Sequence, residues 1–144
     1  MNIPTLAEFE DAAAVLDDVV VKTPFDVSEH LTDVLGAPVY LKLENLQRTG
    51  SFKIRGATYR LSRLTAEERA RGVVAASAGN HAQGVARSAS VLGVRATIVM
   101  PTVTPRIKVD AVRSLGGDVL LMGENFDAAK VEAQRLSAAE GLTF

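Results

Sequence analysis

Apolar and polar positions in the first part of the chain predict two helices. Apolar residues recur at helical spacing from Thr5 to Val21, and Thr5 followed by Glu8 three positions later fits a capping box. A shorter helix is expected around Ser28 to Leu35, because Gly36 directly after it is a typical helix end. We therefore expect one long helix and one short helix before the first strand.

The segment that follows predicts a strand and a third helix. In PVYLKLE apolar residues alternate with a second set, which is typical of a strand with one buried face. The apolar set is Val39, Leu41 and Leu43, and the alternating set is Tyr40, Lys42 and Glu44. Helical spacing returns from Phe52 to Leu64, with Ser51 as the expected N-cap. Lys53 therefore falls in the first turn of a helix.

From residue 73 onward the pattern repeats a strand, a turn and a helix. Short links between alternating strands and helices imply right-handed crossovers and a parallel sheet, so we predict an α/β fold with three αβα layers. The final GLTF resembles the entry to a further strand. The expected strands are Val73–Ser77, Val94–Met100 and GGDVLLM. The first expected helix is His81–Leu92, which ends before Gly93, and the second is Pro105–Leu115 with Thr104 as its N-cap. The third begins at Asn125 or Glu124 and runs to about Ala139, before Gly141.

Composition narrows the function classes. The 144 residues are 47% hydrophobic and carry a net charge of -1, which fits one ordinary core and offers no basic stripe for nucleic acid and no polybasic membrane anchor. Cys is absent, and His30 and His81 lie far apart in the sequence, so we expect no disulfide and no metal site. The first residues carry acids where a secretion signal would carry bases, which predicts a cytoplasmic protein that acts on small molecules.

Lys53 is a candidate nucleophile. The first turn of a helix disfavours a cation, because its free N–H groups and the helix dipole are positive there. We expect this effect, together with shielding by Phe52, to make the Lys53 ammonium easier to deprotonate. A neutral lysine amine attacks carbonyl groups, although most lysines near a helix start are solvated surface residues. The neighbours of Lys53 therefore decide between the two interpretations.

The stretch SAGNHAQG, Ser77 to Gly84, is a candidate anion site because it follows a predicted strand and opens a helix. Such a turn gathers several backbone N–H groups around one point, and Gly79 allows a carboxylate or phosphate to approach closely. The simpler interpretation is an ordinary strand-to-helix turn with Asn80 as N-cap. We expect His81 to be a contact residue rather than a general base, because it has no acidic partner nearby in the sequence.

The motifs TGSFKIRGA and, some two dozen residues later, ASAGNHAQG resemble those of the threonine and serine dehydratases, which are pyridoxal-phosphate enzymes of the tryptophan-synthase-β type. The stretches KTPF, VYLKLENLQ and ATIVMPTVTPRIKVDAVRSLGGDVLLMG also occur in the order and spacing of that family, with Arg48 where many relatives have Pro. The resemblance implies that Lys53 forms a Schiff base with the cofactor and later removes the Cα proton of the substrate. It also implies that Phe52 packs against the cofactor ring and that Asn80 hydrogen-bonds the 3'-oxygen of the ring. The implied site for the substrate carboxylate is the turn Ser77, Ala78, Gly79, Asn80 and His81.

The reaction implied by the resemblance is loss of the β-hydroxyl of L-threonine or L-serine, which yields a 2-oxo acid and ammonia. The resemblance places residues 1–50 in the N-terminal segment of a large domain and residues 51–144 in a small α/β domain. In the family, the glycine-rich loop for the cofactor phosphate and the Ser or Thr at the pyridine nitrogen lie further along than Phe144. We therefore expect an N-terminal portion of a homo-oligomeric enzyme, a dimer or tetramer, that is incomplete as a catalyst.

Two alternatives stay open. The lysine and asparagine motifs also serve racemases and other β-eliminating or β-replacing enzymes of the same superfamily. A different class is a non-catalytic folding unit that binds amino acids weakly or associates with a partner through uncovered apolar surface. Binding of the cofactor by this chain would separate the enzyme from the non-catalytic unit.

Overall fold

Helices and strands alternate through the computed structural model, which describes residues 3–144. No helix in this range is both long and apolar enough to cross a membrane. Two short 3-10 turns, Glu44–Leu46 and Arg48–Gly50, precede the third helix. The α-helices are α1 (Leu6–Leu16), α2 (Glu29–Leu35), α3 (Lys53–Ser62), α4 (Ala66–Arg71), α5 (Asn80–Leu92), α6 (Arg106–Ser114) and α7 (Phe126–Glu140).

The strands form two separate sheets. In the first, β1 (Phe25–Val27) and β2 (Tyr40–Lys42) pair antiparallel. In the second, β3 (Val73–Ala76), β4 (Ala96–Met100) and β5 (Asp118–Leu121) run parallel in the order β3-β4-β5. This arrangement confirms the predicted parallel sheet.

The final residues add one further pairing to the parallel sheet. Thr143 forms a parallel bridge to Val73 on the side of β3 opposite β4. The N–H of Val74 donates to the carbonyl of Thr143 at 2.9 Å, and the N–H of Thr143 donates to the carbonyl of Gly72 at 3.1 Å. GLTF therefore enters the sheet as a strand would, in agreement with the prediction.

Helices cover both faces of the parallel sheet. One cluster of buried side chains contains Val73 and Ile98 and joins the sheet to α3, α5 and α6. The other contains Val74 and Val99 and joins the opposite face to α7 through residues such as Ala129. Consecutive residues face different clusters because side chains alternate across a strand. The result is the three-layer αβα arrangement that the alternating pattern predicts.

Most helix ends lie where the sequence signals put them. The capping box of Thr5 and Glu8 is present, and α2, α5 and α7 each end at a glycine in the left-handed conformation. The first helix is shorter than predicted: it ends at Leu16, whose carbonyl accepts the N–H groups of Val19 and Val20 in a turn. Pro105 is the N-cap of α6, not its first residue, because its backbone is still extended (ψ 136°).

The prediction of one buried face on β2 is wrong. All three residues of β2 are exposed, and Leu41 keeps 40% of its accessible surface. The rings of Phe25 and Tyr40 stack across the two-stranded sheet with their centroids 5.4 Å apart. Alternation determines which side chains share a face of a strand, but burial depends on a second layer that packs against that face.

Candidate functional site

A tight turn leads into Lys53 at the start of α3. Thr49 and Gly50 both have left-handed backbone, with φ of 67° and 69°, and Ser51 is then extended. The helix begins at Lys53 with Phe52 at the N-cap position, so the expected N-cap at Ser51 is wrong by one residue. The Ser51 hydroxyl nevertheless accepts the Lys53 N–H at 3.4 Å. Lys53 lies in the first helical turn, as predicted.

A bidentate ion pair beside Lys53 holds this turn against the preceding segment. Arg55 donates hydrogen bonds to both carboxylate oxygens of Glu44, at 2.9 and 2.8 Å, and Thr23 donates to the same carboxylate at 2.6 Å. The bonds from Arg55 lower the pKa of Glu44 from 4.5 to about 2 against the opposing effect of burial, and the bond from Thr23 adds to the lowering. Sequence reasoning missed this pair, because no structural period relates two residues eleven apart across a turn.

The buried amide of Gln47 ties the same turn to Val21. Its Nε2 donates to the Val21 carbonyl and its Oε1 accepts the Val21 N–H, each at 2.8 Å. The same Oε1 accepts the N–H of Arg48 at 2.9 Å. Gln47 thus supplies both bonding groups that a paired strand would offer to Val21. In the sequence, Gln47 could have been noticed only because it lies in the stretch LENLQRTGSFK, which leads to Lys53.

Lys53 and Phe52 line a cleft of about 350 Å³, whose wall is mostly apolar and also includes Arg60 and His81. The Lys53 Nζ lies 4.9 Å from the centroid of the Phe52 ring, within range of a cation–π interaction. Phe52 is 57% exposed, and Lys53 is also exposed. The expected shielding of the amine is therefore wrong for this chain, because one ring on one side leaves the other directions open to water.

Ser77 organises the turn between β3 and α5. Gly79 is the N-cap of α5 and Asn80 is its first helical residue, so the interpretation of Asn80 as N-cap is wrong by one position. The Ser77 hydroxyl accepts the N–H groups of Gly79 and Ala82, each at 3.3 Å, and takes over the capping role. The Ser77 N–H donates to the carbonyl of Val99 at 3.1 Å, which fixes the turn to the edge of the sheet.

The same turn presents donors for an anion. Within residues 3–144, no protein acceptor meets the backbone N–H groups of Ala78, Asn80 and His81. Free N–H groups at a helix start carry partial positive charge and favour carboxylates and phosphates. Burial and the nearby charge of Lys53 lower the pKa of His81, which favours the neutral imidazole. In the described part of the chain, no three acidic or histidine side chains gather as metal ligands.

Helices α3 and α5 bring the two predicted motifs together. Lys53 and His81 line the same cleft, and the backbone of Lys53 packs directly on Gly84. The other residues of the turn adjoin this cleft without lining it; they are Ser77, Ala78, Gly79 and Asn80. An amine and an anion receptor therefore lie side by side, which suits a reaction of a carbonyl compound that carries a carboxylate.

Comparison with known proteins gives one consistent result. The sequence profile described as pyridoxal-phosphate dependent enzyme matches residues 16–144. The L-threonine ammonia-lyase of Thermotoga maritima is 50% identical over 140 residues, which are 97% of this chain and 35% of that protein. The chain thus spans about a third of the length of this curated relative.

Solved structures agree with the sequence relatives. Threonine deaminase isoform 2 from Solanum lycopersicum superposes with a TM-score of 0.86 and 46% identity, over 97% of this chain and 40% of that one. A serine racemase from maize superposes with a TM-score of 0.89 and 30% identity, over 99% of this chain and 43% of that one. The profile match, the identities and the superpositions lead to the same conclusion: this chain belongs to the pyridoxal-phosphate dependent enzyme family.

Proposed function

We propose that the chain supplies the lysine and the substrate-carboxylate turn of an ammonia-lyase that converts L-threonine or L-serine to a 2-oxo acid and ammonia. The observation that carries the proposal is the position of the Lys53 amine beside a turn with unpartnered N–H groups. The 50% identity to the L-threonine ammonia-lyase of Thermotoga maritima supports it.

The residues present fit the cofactor of the family. The Lys53 amine is exposed at a cleft with an apolar wall, where it can reach the aldehyde of an aromatic ring. The exposed face of Phe52 can pack against such a ring, and the exposed Asn80 side chain makes no hydrogen bond within residues 3–144. These features suit pyridoxal phosphate together with the carboxylate of an amino-acid substrate.

When bound, pyridoxal phosphate supplies an electron sink that makes the Cα proton of an amino acid acidic. In our proposal Lys53 would hold the cofactor through Nζ, and once the amine of the substrate has displaced it, the freed Nζ would accept the Cα proton. Asn80 would hold the ring by donating a hydrogen bond to its 3'-oxygen. The backbone N–H groups of Ala78, Asn80 and His81, with Gly79 leaving room and the Ser77 hydroxyl nearby, hold the carboxylate.

The overall reaction balances without an oxidant or reductant. The substrate loses its Cα proton and its β-hydroxyl, which together leave as one water molecule. Hydrolysis of the resulting enamine consumes one water molecule and releases ammonia and the 2-oxo acid. The chain therefore needs one proton acceptor, assigned to Lys53, and one carboxylate receptor, assigned to the turn at the start of α5.

The proposal is tested by mixing the purified chain with pyridoxal phosphate, reducing with borohydride and mapping the labelled peptides. We expect the label to accumulate on Lys53 and to be lost from that peptide in Lys53→Ala. Lys108 is a matched control, because it is another exposed lysine in the first turn of a helix, α6. Equal labelling of Lys53 and Lys108 would show only general surface reactivity and would contradict the proposal.

A racemase of the same family is the second candidate, and the superposition on the maize serine racemase favours it. The products separate the two reactions when the chain is incubated with cofactor and L-serine. A 2-oxo acid and ammonia support the ammonia-lyase, whereas D-serine supports the racemase. A folded chain in which the cofactor does not label Lys53 supports the non-catalytic alternative.

Four further features stay predictions. A cytoplasmic location is predicted from the acidic first residues of the chain. The resemblance predicts a homo-oligomer in the form of a dimer or tetramer, a small amino acid as the binding partner, and the division into residues 1–50 and 51–144. Sedimentation equilibrium tests the oligomer, and limited proteolysis near residue 50 tests the division.

A further inference from the structure

The helices that carry the two motifs touch backbone to backbone at Gly84. A Cβ atom at this position would lie 3.1 Å from the carbonyl carbon of Lys53, 3.2 Å from its oxygen and 3.2 Å from the nitrogen of Ile54. These distances are shorter than ordinary van der Waals contacts. The Ile54 side chain is completely buried, which limits how freely the start of α3 can move. A Cβ at position 84 would therefore require the start of α3 to move away by a few tenths of an ångström.

A buried hydroxyl pair fixes the same helix contact one turn further along. Thr58 and Ser88 are both fully buried, and their hydroxyl oxygens lie 2.8 Å apart. The Ser88 hydroxyl donates to the carbonyl of Gly84 at 2.7 Å, so its proton is used and Thr58 is the donor to Ser88. The bond ties α3 to α5, and the Gly84 contact sets how closely their first turns approach.

The other glycine inside a helix of the described chain behaves differently. A Cβ at Gly56 in α3 would meet no atom within 4 Å. Glycine in a helix interior costs about 0.5 to 1 kcal/mol relative to alanine, so both positions carry this cost. The structure gives a steric reason for a glycine only at position 84 of these two.

We propose that Gly84 is a positioning residue, whose missing Cβ sets the distance between Lys53 at the start of α3 and the anion-binding turn at the start of α5. Gly84 lies one helical turn after Asn80 on α5. A methyl group at Gly84 would push the first turn of α3 away and carry the Lys53 amine with it. The chemical roles of the two groups rest on the proposed function, whereas the distance between them does not.

The test uses the charge of Lys53 as a probe of this distance. Lys53 lowers the pKa of His81 in addition to the larger effect of burial, and Arg60 is the other cationic side chain that lines the same cleft. We expect Gly84→Ala to raise the pKa of His81, measured by NMR titration. Gly56→Ala is the matched control and should leave the pKa of His81 unchanged.

A double-mutant cycle separates the effect of the distance to Lys53 on the pKa of His81 from the effect of burial. Lys53→Met removes the charge and should raise the pKa of His81 by the full contribution of Lys53. Gly84→Ala added to Lys53→Met should then give no further rise, because no charge remains to be moved. A similar rise from Gly84→Ala in both backgrounds would mean that the substitution changes burial alone, and it would overturn the proposal. No rise in a folded Gly84→Ala variant would also overturn it.

The proposal can still be tested if the Gly84→Ala variant does not fold. Ser88→Ala adds no atoms and removes the bond between α3 and α5 but leaves the Gly84 contact intact, so the pKa of His81 should stay unchanged. A rise in the pKa of His81 in Ser88→Ala would mean that the hydroxyl bond, and not the Gly84 contact, sets the distance, and it would overturn the proposal. If pyridoxal phosphate never labels Lys53 in the original chain, the proposed function fails, whereas the pKa of His81 still decides whether Gly84 sets the distance.

Discussion

At the scale of single residues, position at a helix start does not by itself make a functional lysine. Lys53 and Lys108 are both exposed and both lie in the first turn of a helix. Only Lys53 shares a cleft with Phe52 and His81, and only its backbone packs on Gly84. The candidate chemistry of Lys53 therefore depends on its neighbours across the fold more than on the helix dipole.

The Glu44–Arg55 ion pair should make stability depend on acid pH. The pKa of Glu44 lies near 2 in the folded chain and near 4.5 otherwise, so the stabilisation is complete above about pH 4.5 and is lost as the pH falls toward 2. We expect Glu44→Gln to lower the free energy of unfolding by about 1 to 2 kcal/mol at pH 7, with solvent screening reducing the effect of the full pKa shift. Urea denaturation at several pH values measures this difference.

The exposed pair of Arg106 and Asp110 provides the control for that prediction. Its atoms are 3.4 Å apart and both side chains are largely exposed. Asp110→Asn should change the free energy of unfolding by less than about 0.5 kcal/mol at pH 7. A Glu44→Gln effect that stays constant between pH 7 and pH 2.5 would show that the pair does not titrate as described.

At the scale of elements, the contact between α3 and α5 is the part of the fold that assembles the candidate site. It joins two helices whose first residues carry the two motifs, so any change in their separation acts on the site. Small residues at the contact, such as Gly84, Ala57 and Ala82, allow a close approach. The buried bond between Thr58 and Ser88 adds direction to a contact that is otherwise apolar.

The Thr58–Ser88 bond should show strong coupling in a double-mutant cycle. Ser88→Ala leaves the buried Thr58 hydroxyl without its acceptor, so we expect a loss of about 1 to 3 kcal/mol in the free energy of unfolding. Thr58→Val combined with Ser88→Ala should cost less than the sum of the two single substitutions, because no hydroxyl is then left unpaired. Urea unfolding monitored by circular dichroism measures all three variants.

The control for this cycle is Ser114→Ala in α6. The Ser114 side chain is exposed and donates only to the carbonyl of Ala111 in its own helix. Its loss should change stability by less than about 0.5 kcal/mol. Strictly additive effects of Thr58→Val and Ser88→Ala would argue that the two hydroxyl groups do not interact.

At the scale of the whole molecule, stability depends on helices that cover both faces of the parallel sheet. Leu142 is buried in the cluster between the sheet and α7, and the carbonyl of Leu142 accepts the Ser137 hydroxyl at 2.7 Å. We expect Leu142→Ala to lower the free energy of unfolding by about 2 to 4 kcal/mol, because it removes buried apolar surface and leaves a cavity.

Leu121 is the matched control, because it is a leucine of β5 that remains 39% exposed. Leu121→Ala should cost clearly less than Leu142→Ala when both are measured by thermal unfolding. Similar costs at the two positions would mean that the face under α7 is not a tightly packed core.

The sequence by itself determined the elements and the identity of the motifs. Helical spacing, capping residues and glycines are local features, so they predicted the helices to within a few residues, and the strand-helix alternation predicted the parallel sheet. The same motifs pointed to Lys53 and to the turn of Ser77 to His81 before any contact was known.

Only the tertiary structure decided how these parts meet. The adjacency of Lys53 and His81, the close approach at Gly84 and the pairing of Glu44 with Arg55 each join residues that no single period relates. The exposure of β2 and of the Lys53 amine likewise depends on what packs against them. Periodicity records which side of an element is apolar, whereas contact and burial arise from packing between segments that are distant along the chain.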